Sequence, residues 1–153
     1  MVILVCLYKD FPQLPDLAKD IEKIKGVTSL ILNYNPKKTN VILGKTDYLV
    51  FGEPQITDKI GDLKFKISPE SFFQINSLQM PRLYDLAIKK ADLKANDVVI
   101  DAYSGIGTIG LSVAKHVKAV RGMETIRAAV EDANANAKLN GIENAQYVTG
   151  KAE

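Results

Sequence analysis

The residues of this chain that could do chemistry lie close together in its second half. They form a fixed order of apolar run, acid, glycine loop, apolar run and acid, namely residues 98–100, Asp101, 104–108, 119–123 and Glu124. Glycines let a backbone turn tightly and approach a ligand closely, and the start of a helix offers unpaired N–H groups. A carboxylate after the second run can accept hydrogen bonds from a ribose diol. The stretch therefore predicts a nucleotide-type cofactor site.

Alternating strands and helices must position these residues. A helix is predicted to end near residue 91, and Pro81 could delay its start. After it, the pattern predicts strands at 98–101, 119–124 and 146–148, separated by helices at 108–115 and 126–139. Gly141 suits the residue that follows the last helix. Glu131 and Asp132 are predicted to face solvent from that helix. The alternation predicts parallel strands joined by right-handed crossovers, as in an α/β fold.

The first half of the chain has a different character. Short apolar runs separated by glycines predict strands at 2–8, 29–34, 41–43, 48–51, 55–60 and 63–67, with one helix at 15–25. We expect a small α+β domain with mostly antiparallel pairing over residues 1–70, followed by a partial doubly wound sheet over 71–153. Three strands are about half of such a sheet, so an exposed sheet edge could promote association.

Composition excludes several kinds of site within this stretch. The 153 residues are 46% hydrophobic and 25% charged, with net charge +2, so bulk charge neither requires nor rules out nucleic acid. With one cysteine and one histidine, neither a disulfide, a multi-cysteine metal site nor a Ser/His/Asp triad is expected. Cys6 is predicted to be a buried strand residue, and His116 to end a helix. We find neither a signal peptide nor a membrane-spanning run, and expect a cytoplasmic location.

The glycine loop leaves two cofactors open. Gly105, Gly107 and Gly110 satisfy the dinucleotide pattern G-x-G-x-x-G, which also occurs in plain tight turns. In NAD sites the first glycine follows the strand almost directly, to receive a pyrophosphate. Here a carboxylate, Asp101, and a short spacer come first; they would repel a pyrophosphate but suit the cationic methionine end of S-adenosylmethionine. The methyl donor is favoured, and an NAD(P)-binding oxidoreductase fragment is the alternative.

Further segments make a family resemblance specific. Residues 68–76, SPESFFQIN, together with DAYSGIGT at 101–108 and GME at 122–124, resemble the RNA uracil-5-methyltransferases, which make 5-methyluridine in ribosomal and transfer RNA. DANANA at 132–137 and NGIENA at 140–145 also fit. The chain is most similar to the Gram-positive type acting on 23S ribosomal RNA, over about residues 30–153. The resemblance implies a class I methyltransferase, Rossmann-like sheet with S-adenosylmethionine as cofactor and RNA as partner, without a metal in this stretch.

The resemblance also implies site residues. In the family, the residues matching Gln74, Tyr103 and Glu124 contact S-adenosylmethionine, and the residue matching Phe72 lies near the flipped uracil. A core role is equally open for Phe72 and favoured for Phe73. With the strand acid and the loop, the predicted cofactor-binding set is Gln74, Asp101, Tyr103, Ser104, Gly105, Gly107, Thr108 and Glu124. Glu153 is a weaker candidate for an adenine contact.

The catalytic residues are expected elsewhere. In the family a cysteine thiolate adds to C6 of uracil, C5 takes the methyl group, and a carboxylate removes the C5 proton. Both groups are implied to lie beyond Glu153, so this chain alone should be inactive, with Cys6 no substitute. A further, non-enzymatic reading makes residues 1–70 an RNA-contacting module through Lys37, Lys38 and Lys45, although loop lysines are more often plain solvated surface.

Overall fold

The chain folds into two compact units, Met1–Ile56 and Thr57–Glu153. The computed structural model describes residues 1–37, 39–74 and 76–153; Lys38 and Ile75, which belong to the stretches singled out above, lie outside the described residues. The boundary comes earlier than the expected residue 70. The reason is that residues 63–67 hydrogen-bond to a helix near the end of the chain, as described below.

The first unit is a three-stranded sheet with one helix. Its elements are β1 (Val2–Cys6), α1 (Leu14–Glu22), β2 (Ser29–Tyr34) and β3 (Thr46–Gly52), with β2 in the centre. The expectation of mostly antiparallel pairing is wrong for β1 and β2, which are parallel, while β3 runs antiparallel to β2. α1 is the crossover that a parallel pair requires. Cys6 is half-buried and its thiol is free, which corrects the expected full burial.

Residues 41–43, in the loop before β3, form no strand, contrary to the prediction. The side chain of Asn35 donates hydrogen bonds to the carbonyl oxygens of Val41 and Ile42, at 2.9 and 2.8 Å. The side chain of Asn33 binds both the N–H and the carbonyl of Gly44, at 2.6 and 3.1 Å. Side-chain amides therefore satisfy backbone groups that a strand would have paired, which is how asparagine competes with secondary structure.

The second unit is an α/β arrangement preceded by a hairpin. The hairpin is β4 (Ile56–Ile60) and β5 (Leu63–Ile67), joined by two residues, a link that only antiparallel strands allow. There follow α2 (Met80–Ala91), β6 (Val98–Asp101), α3 (Thr108–Val113), a 3-10 turn (Ala114–His116), β7 (Ala119–Glu124), α4 (Arg127–Leu139) and β8 (Ala145–Thr149). The strands β6, β7 and β8 are parallel and adjacent in that order, as the alternation predicted.

Helix ends in the second unit follow local chemistry. α2 starts at Met80 with Pro81 in its first turn, where proline's missing N–H is tolerated. α3 is two residues shorter than expected, and His116 ends the 3-10 turn behind it. Gly141 follows α4 with φ +66°, as predicted. The N–H of Gly141 binds the Lys138 carbonyl and that of Ile142 the Ala137 carbonyl, at 3.1 and 2.9 Å, which completes a Schellman motif.

α4 is joined to β5 by three polar side chains spaced four residues apart, which we call the α4 ladder: Asp132, Asn136 and Asn140. They bind the backbone of every second β5-side residue, Ser68, Lys66 and Lys64 respectively. The spacing matches because four helical residues rise about 6 Å and two strand residues about 6.6 Å. Asp132 is 4% exposed, so the prediction that it faces solvent is wrong. Glu131 does face solvent, paired with Arg127 at 2.8 Å.

Two further properties concern only the part of the chain that the structure describes. None of its helices is long and apolar enough to cross a membrane. It also holds no group of three or more His, Cys, Asp or Glu side chains suited to a metal ion.

Candidate cofactor site

The glycine loop lies across the carboxyl end of β7. The Ser104 N–H donates to the Met123 carbonyl at 3.0 Å, and the Gly105 N–H donates to Oε2 of Glu124 at 3.1 Å. Gly105 and Gly107 adopt φ +52° and +83°, a region that disfavours residues with a Cβ. The structure thus brings together the loop and the strand-end acid that the sequence singled out. In open α/β sheets this end of the strands is where ligands bind.

Glu124 is held as an ionised carboxylate at this edge. Its Oε1 accepts the Ile126 N–H at 2.9 Å and the Thr125 hydroxyl at 3.0 Å. Partial burial acts to raise the pKa of Glu124, but these hydrogen bonds and the one from Gly105 together lower it. The side chain stays half-buried. It is therefore a negatively charged acceptor of fixed orientation, which is what binding of a diol requires.

Asp101 faces the helix that follows the loop. Its Oδ2 accepts the N–H of Gly110, the third residue of α3, at 3.0 Å. Burial raises the pKa of Asp101; the Gly110 hydrogen bond opposes this shift, and the negative charge of Glu124 adds to it. The carboxylate thus ties the end of β6 to the first turn of α3. Its predicted contact with the methionine end of a cofactor stays a prediction.

Tyr147 is the main residue of this region that the sequence argument did not single out. It lies on β8, is 4% exposed, and its hydroxyl faces the Gly107 carbonyl at 3.4 Å. A Cβ placed on Gly107, Gly110 or Gly122 would meet the Tyr147 ring or hydroxyl at 2.9, 2.6 and 2.0 Å respectively. The phenol occupies the space that three glycines leave. Burial, aided by the charge of Asp101, raises the pKa of Tyr147, so it stays neutral. The sequence feature that could have indicated this role is an aromatic residue on β8, the strand that follows the glycine-containing strand β7.

The other predicted residues have distinct settings. The hydroxyl of Thr108 is hydrogen-bonded to that of Tyr84 at 2.8 Å, where burial raises the pKa of Tyr84. Tyr103 is 75% exposed, so its ring is available beside the loop. Glu153 is exposed. Thr108 therefore fixes α2 against α3 through its hydroxyl, while Tyr103 can contact a ligand.

The segment after β5 carries the remaining candidates. Phe73 is half-buried, and its ring packs on the buried Phe65 with ring centroids 6.2 Å apart, so it contacts the core without being fully buried. Phe72 is 70% exposed and so is not a core residue. Gln74 is also exposed, and among the described residues its side chain makes no hydrogen bond to the glycine loop. The segment thus has one anchored ring and two side chains available to ligands.

Two features of the loop suit a bound cofactor. The hydroxyl of Ser104 is buried and has no hydrogen-bond partner among the described residues, an arrangement that costs free energy unless a ligand completes it. A Cβ added at Gly105 would meet nothing within 4 Å, so the loop is open on that side. Together with the exposed Tyr103 ring and the ionised Glu124, these features fit an adenosine-containing ligand.

Known proteins identify the family. The sequence profile of the tRNA (uracil-5-)-methyltransferase family matches residues 14–153. An uncharacterised RNA methyltransferase of Lactobacillus johnsonii is 82% identical over 153 residues, which are all of this chain and 34% of that protein. One from Caldanaerobacter subterraneus is 47% identical over 154 residues, again 100% and 34%. The chain therefore spans about a third of the length of these relatives.

Solved structures agree with the fold. The Pyrococcus abyssi tRNA (uracil-54, C5)-methyltransferase, solved with S-adenosyl-L-homocysteine, superposes with TM-score 0.77 at 26% identity, over 97% of this chain and 35% of that one. The Pyrococcus abyssi protein Trm5b shares the fold at TM-score 0.61 and 18% identity, over 98% and 45%. The predicted mixed α/β, Rossmann-like methyltransferase fold is confirmed, and the oxidoreductase alternative is not favoured. This chain belongs to the tRNA (uracil-5-)-methyltransferase family.

Proposed function

We propose that this chain supplies the S-adenosylmethionine-binding wall of an RNA uracil-5-methyltransferase. The observation that carries the proposal is the hydrogen bond from the Gly105 N–H to the carboxylate of Glu124. Beside it lies the buried Ser104 hydroxyl, which has no hydrogen-bond partner among the described residues. Family membership supports the same cofactor, because a relative in the family was solved with S-adenosyl-L-homocysteine. The chain covers about a third of its relatives, so the activity belongs to the longer protein.

Each site residue has a role in this proposal. Glu124 accepts the ribose hydroxyls, and the loop of Ser104, Gly105 and Gly107 presents backbone and hydroxyl groups to the ligand. Tyr103 and Gln74 form the side walls of the site. Asp101 and Thr108, also predicted from the sequence to bind the cofactor, hold α3 in place, and the charge of Asp101 favours the cationic methionine end. The exposed Phe72 ring contacts the extruded uracil base.

The chemistry of methyl transfer divides between this chain and residues outside it. The bound cofactor supplies an electrophilic methyl group on its sulfonium. The residues of this chain bind and orient that group, while the thiolate and the carboxylate that uracil chemistry needs are implied to lie elsewhere. This chain alone should therefore form no 5-methyluridine, and its detection with the purified chain would refute the assignment.

Cofactor choice is tested by calorimetric titration of the chain with S-adenosylhomocysteine and, separately, NADH. We expect binding of the first only. Glu124→Gln should weaken it about tenfold or more, since hydrogen bonds to a charged group contribute about 1.5–3 kcal/mol. Glu131→Gln is the matched control, because Glu131 is an exposed acid of α4 paired only with Arg127 among the described residues. Binding of NADH without S-adenosylhomocysteine would reverse the choice.

We propose RNA as the substrate of the whole protein, and 23S ribosomal RNA rather than transfer RNA as the target. The ribosomal choice rests on the sequence resemblance, whereas the family description names tRNA. The full-length protein should form 5-methyluridine in a 23S transcript and not in a tRNA transcript. The reverse preference would contradict the ribosomal target and leave the cofactor site as proposed. A cytoplasmic location stays a prediction.

Association of the isolated chain is a separate proposal. β6 pairs with β7 on one side only among the described strands, and its residues Val98 and Ile100 are 55% and 74% exposed. An unpaired, apolar strand edge favours pairing with another chain. Light scattering should show a mass above that of a monomer at high concentration. A monodisperse monomer would contradict this.

A further inference from the structure

We propose that Asp132 and Asn136 of α4 are positioning residues that fix residues 71–74 relative to the glycine loop. This inference rests on the proposed function, because it assigns these residues to the placing of Phe72 and Gln74 beside the cofactor. The α4 ladder, defined above, is the structural basis. Of its members, Asp132 was predicted from the sequence to face solvent, whereas the structure buries both Asp132 and Asn136.

Asp132 anchors the chain where it leaves β5. Its Oδ2 accepts the Ser68 N–H at 3.0 Å and the Ser71 hydroxyl at 2.9 Å, and its Oδ1 accepts the Ser68 hydroxyl at 2.9 Å. Hydrogen bonds to a carboxylate are the stronger kind, and this carboxylate is almost fully buried. The anchor thus fixes two residues, 68 and 71, directly before Phe72.

Asn136 connects the same strand to the glycine loop. Its Oδ1 accepts the Lys66 N–H at 2.7 Å, and its Nδ2 donates to the Lys66 carbonyl at 3.1 Å and to the Ile106 carbonyl at 3.4 Å. Asn136 is 0% exposed, and Ile106 stands between the two glycines of positive φ. One side chain therefore bonds both β5 and the loop, so the two cannot shift independently.

The direction of α4 places the anchor at the cofactor end of the sheet. α4 begins three residues after Glu124 and runs back along the sheet, as a crossover between parallel strands must. Asp132 is the ladder member nearest that start, and Asn140 is the farthest. Residues 71–74 therefore leave the ladder at the end of the sheet where the glycine loop lies.

Because both side chains are buried, Asp132 and Asn136 can affect ligand binding only by positioning other residues. Asp132 and Asn136 are 4% and 0% exposed, and their polar atoms are engaged with backbone and serine groups. Neither can contact a ligand directly. What they control is the place of Phe72 and Gln74, which are exposed and have no hydrogen-bonded side-chain anchor among the described residues.

The test compares three variants of the chain: Asp132→Asn, Ser71→Ala and, as matched control, Asn140→Ala. The control removes Asn140, the member of the α4 ladder farthest from the glycine loop, whose side chain binds the N–H and the carbonyl of Lys64 at 2.9 and 2.7 Å. Backbone amide exchange is measured relative to β7 at Ser68 and Ser71, whose N–H groups are bonded to Asp132 and to the Ser68 carbonyl, and the dissociation constant for S-adenosylhomocysteine is measured by calorimetry. Ser71→Ala deletes a single hydroxyl from a half-buried position, so it remains informative where Asp132→Asn unfolds the chain.

We expect both Asp132→Asn and Ser71→Ala to speed exchange at residues 68 and 71. The dissociation constant should rise about tenfold in Asp132→Asn and about threefold in Ser71→Ala, the range of one or two lost hydrogen bonds. Asn140→Ala should lower the free energy of unfolding yet leave both readouts within about twofold. Unchanged exchange in the first two variants would overturn the anchor. Faster exchange with unchanged affinity would overturn its role in positioning. A wild-type chain that binds no S-adenosylhomocysteine would instead overturn the proposed function. The exchange rates of the variants would then still show whether Asp132 holds residues 68 and 71 in place.

Discussion

Replacement of Gly122 by alanine should destabilise the second unit strongly because Tyr147 occupies the space of the missing side chain. A Cβ at this position would lie 2.0 and 2.4 Å from two ring carbons of Tyr147 and 3.1 Å from the Cβ of Ser104. Carbon atoms pack at about 3.5–4.0 Å, so the ring must move by more than 1 Å. Movement towards Gly107 or Gly110 is blocked, since the phenol already fills the space beside both.

The expected loss is at the upper end of overpacking costs, about 3 kcal/mol of unfolding free energy. Urea unfolding followed by circular dichroism measures it. Gly150→Ala is the matched control, because its Cβ would meet only the flexible Met123 side chain at 3.2 Å and should cost less than about 1 kcal/mol.

A second substitution shows whether Tyr147 is the cause. In Gly122→Ala/Tyr147→Leu the smaller side chain makes room, so the two changes together should cost less than the sum of each alone, by about 1–3 kcal/mol. Additive costs, or a Gly122→Ala chain within about 0.5 kcal/mol of wild type, would refute the packing argument.

Three further predictions concern single side chains. Since burial gives Asp101 a raised pKa, the folded chain holds this proton more tightly than the unfolded chain, and stability should fall as pH rises from about 3.9 through the raised value; Asp101→Asn should flatten that decline in urea titrations, and an unchanged slope would contradict it. Ser104→Ala removes a buried hydroxyl without a partner among the described residues, so it should raise the unfolding free energy by up to about 1 kcal/mol while weakening S-adenosylhomocysteine binding; a loss of stability would show a missed partner. Tyr84→Phe breaks the 2.8 Å bond to Thr108 and should cost about 1 kcal/mol in thermal unfolding, whereas no cost would mean that the bond contributes nothing.

The sheet of the second unit could be predicted from the sequence because its signals are local. β6 and β7 have the predicted bounds, since each is a short, mostly apolar segment that ends in an acid. The meeting of the glycine loop with Glu124 also follows from parallel strands, whose carboxyl ends share one edge. The position of the glycine loop beside Glu124 could therefore be predicted from local sequence signals.

Other features could not be predicted because they depend on contacts between distant residues. Asp132 and Asn136 have the residue types of a solvated helix face, and they are buried only because β5 packs against α4. Their partners, Ser68 and Lys66, lie 64 and 70 residues earlier in the chain. The absence of a strand at 41–43 likewise depends on side-chain bonds from Asn35. Tyr147 has no motif of its own, since its role is set by the shape that three glycines leave.

A 1H–15N NMR titration of the chain with S-adenosylhomocysteine would show where on the chain the cofactor binds. The largest amide shifts should occur at residues 104–108 and 124–126, where the loop and the strand-end acid are joined by hydrogen bonds. Glu124→Gln should reduce them at equal ligand concentration. Shifts centred instead on the groove beside Leu63, Ile88 and Ile142, or no shifts at saturating ligand, would contradict the account.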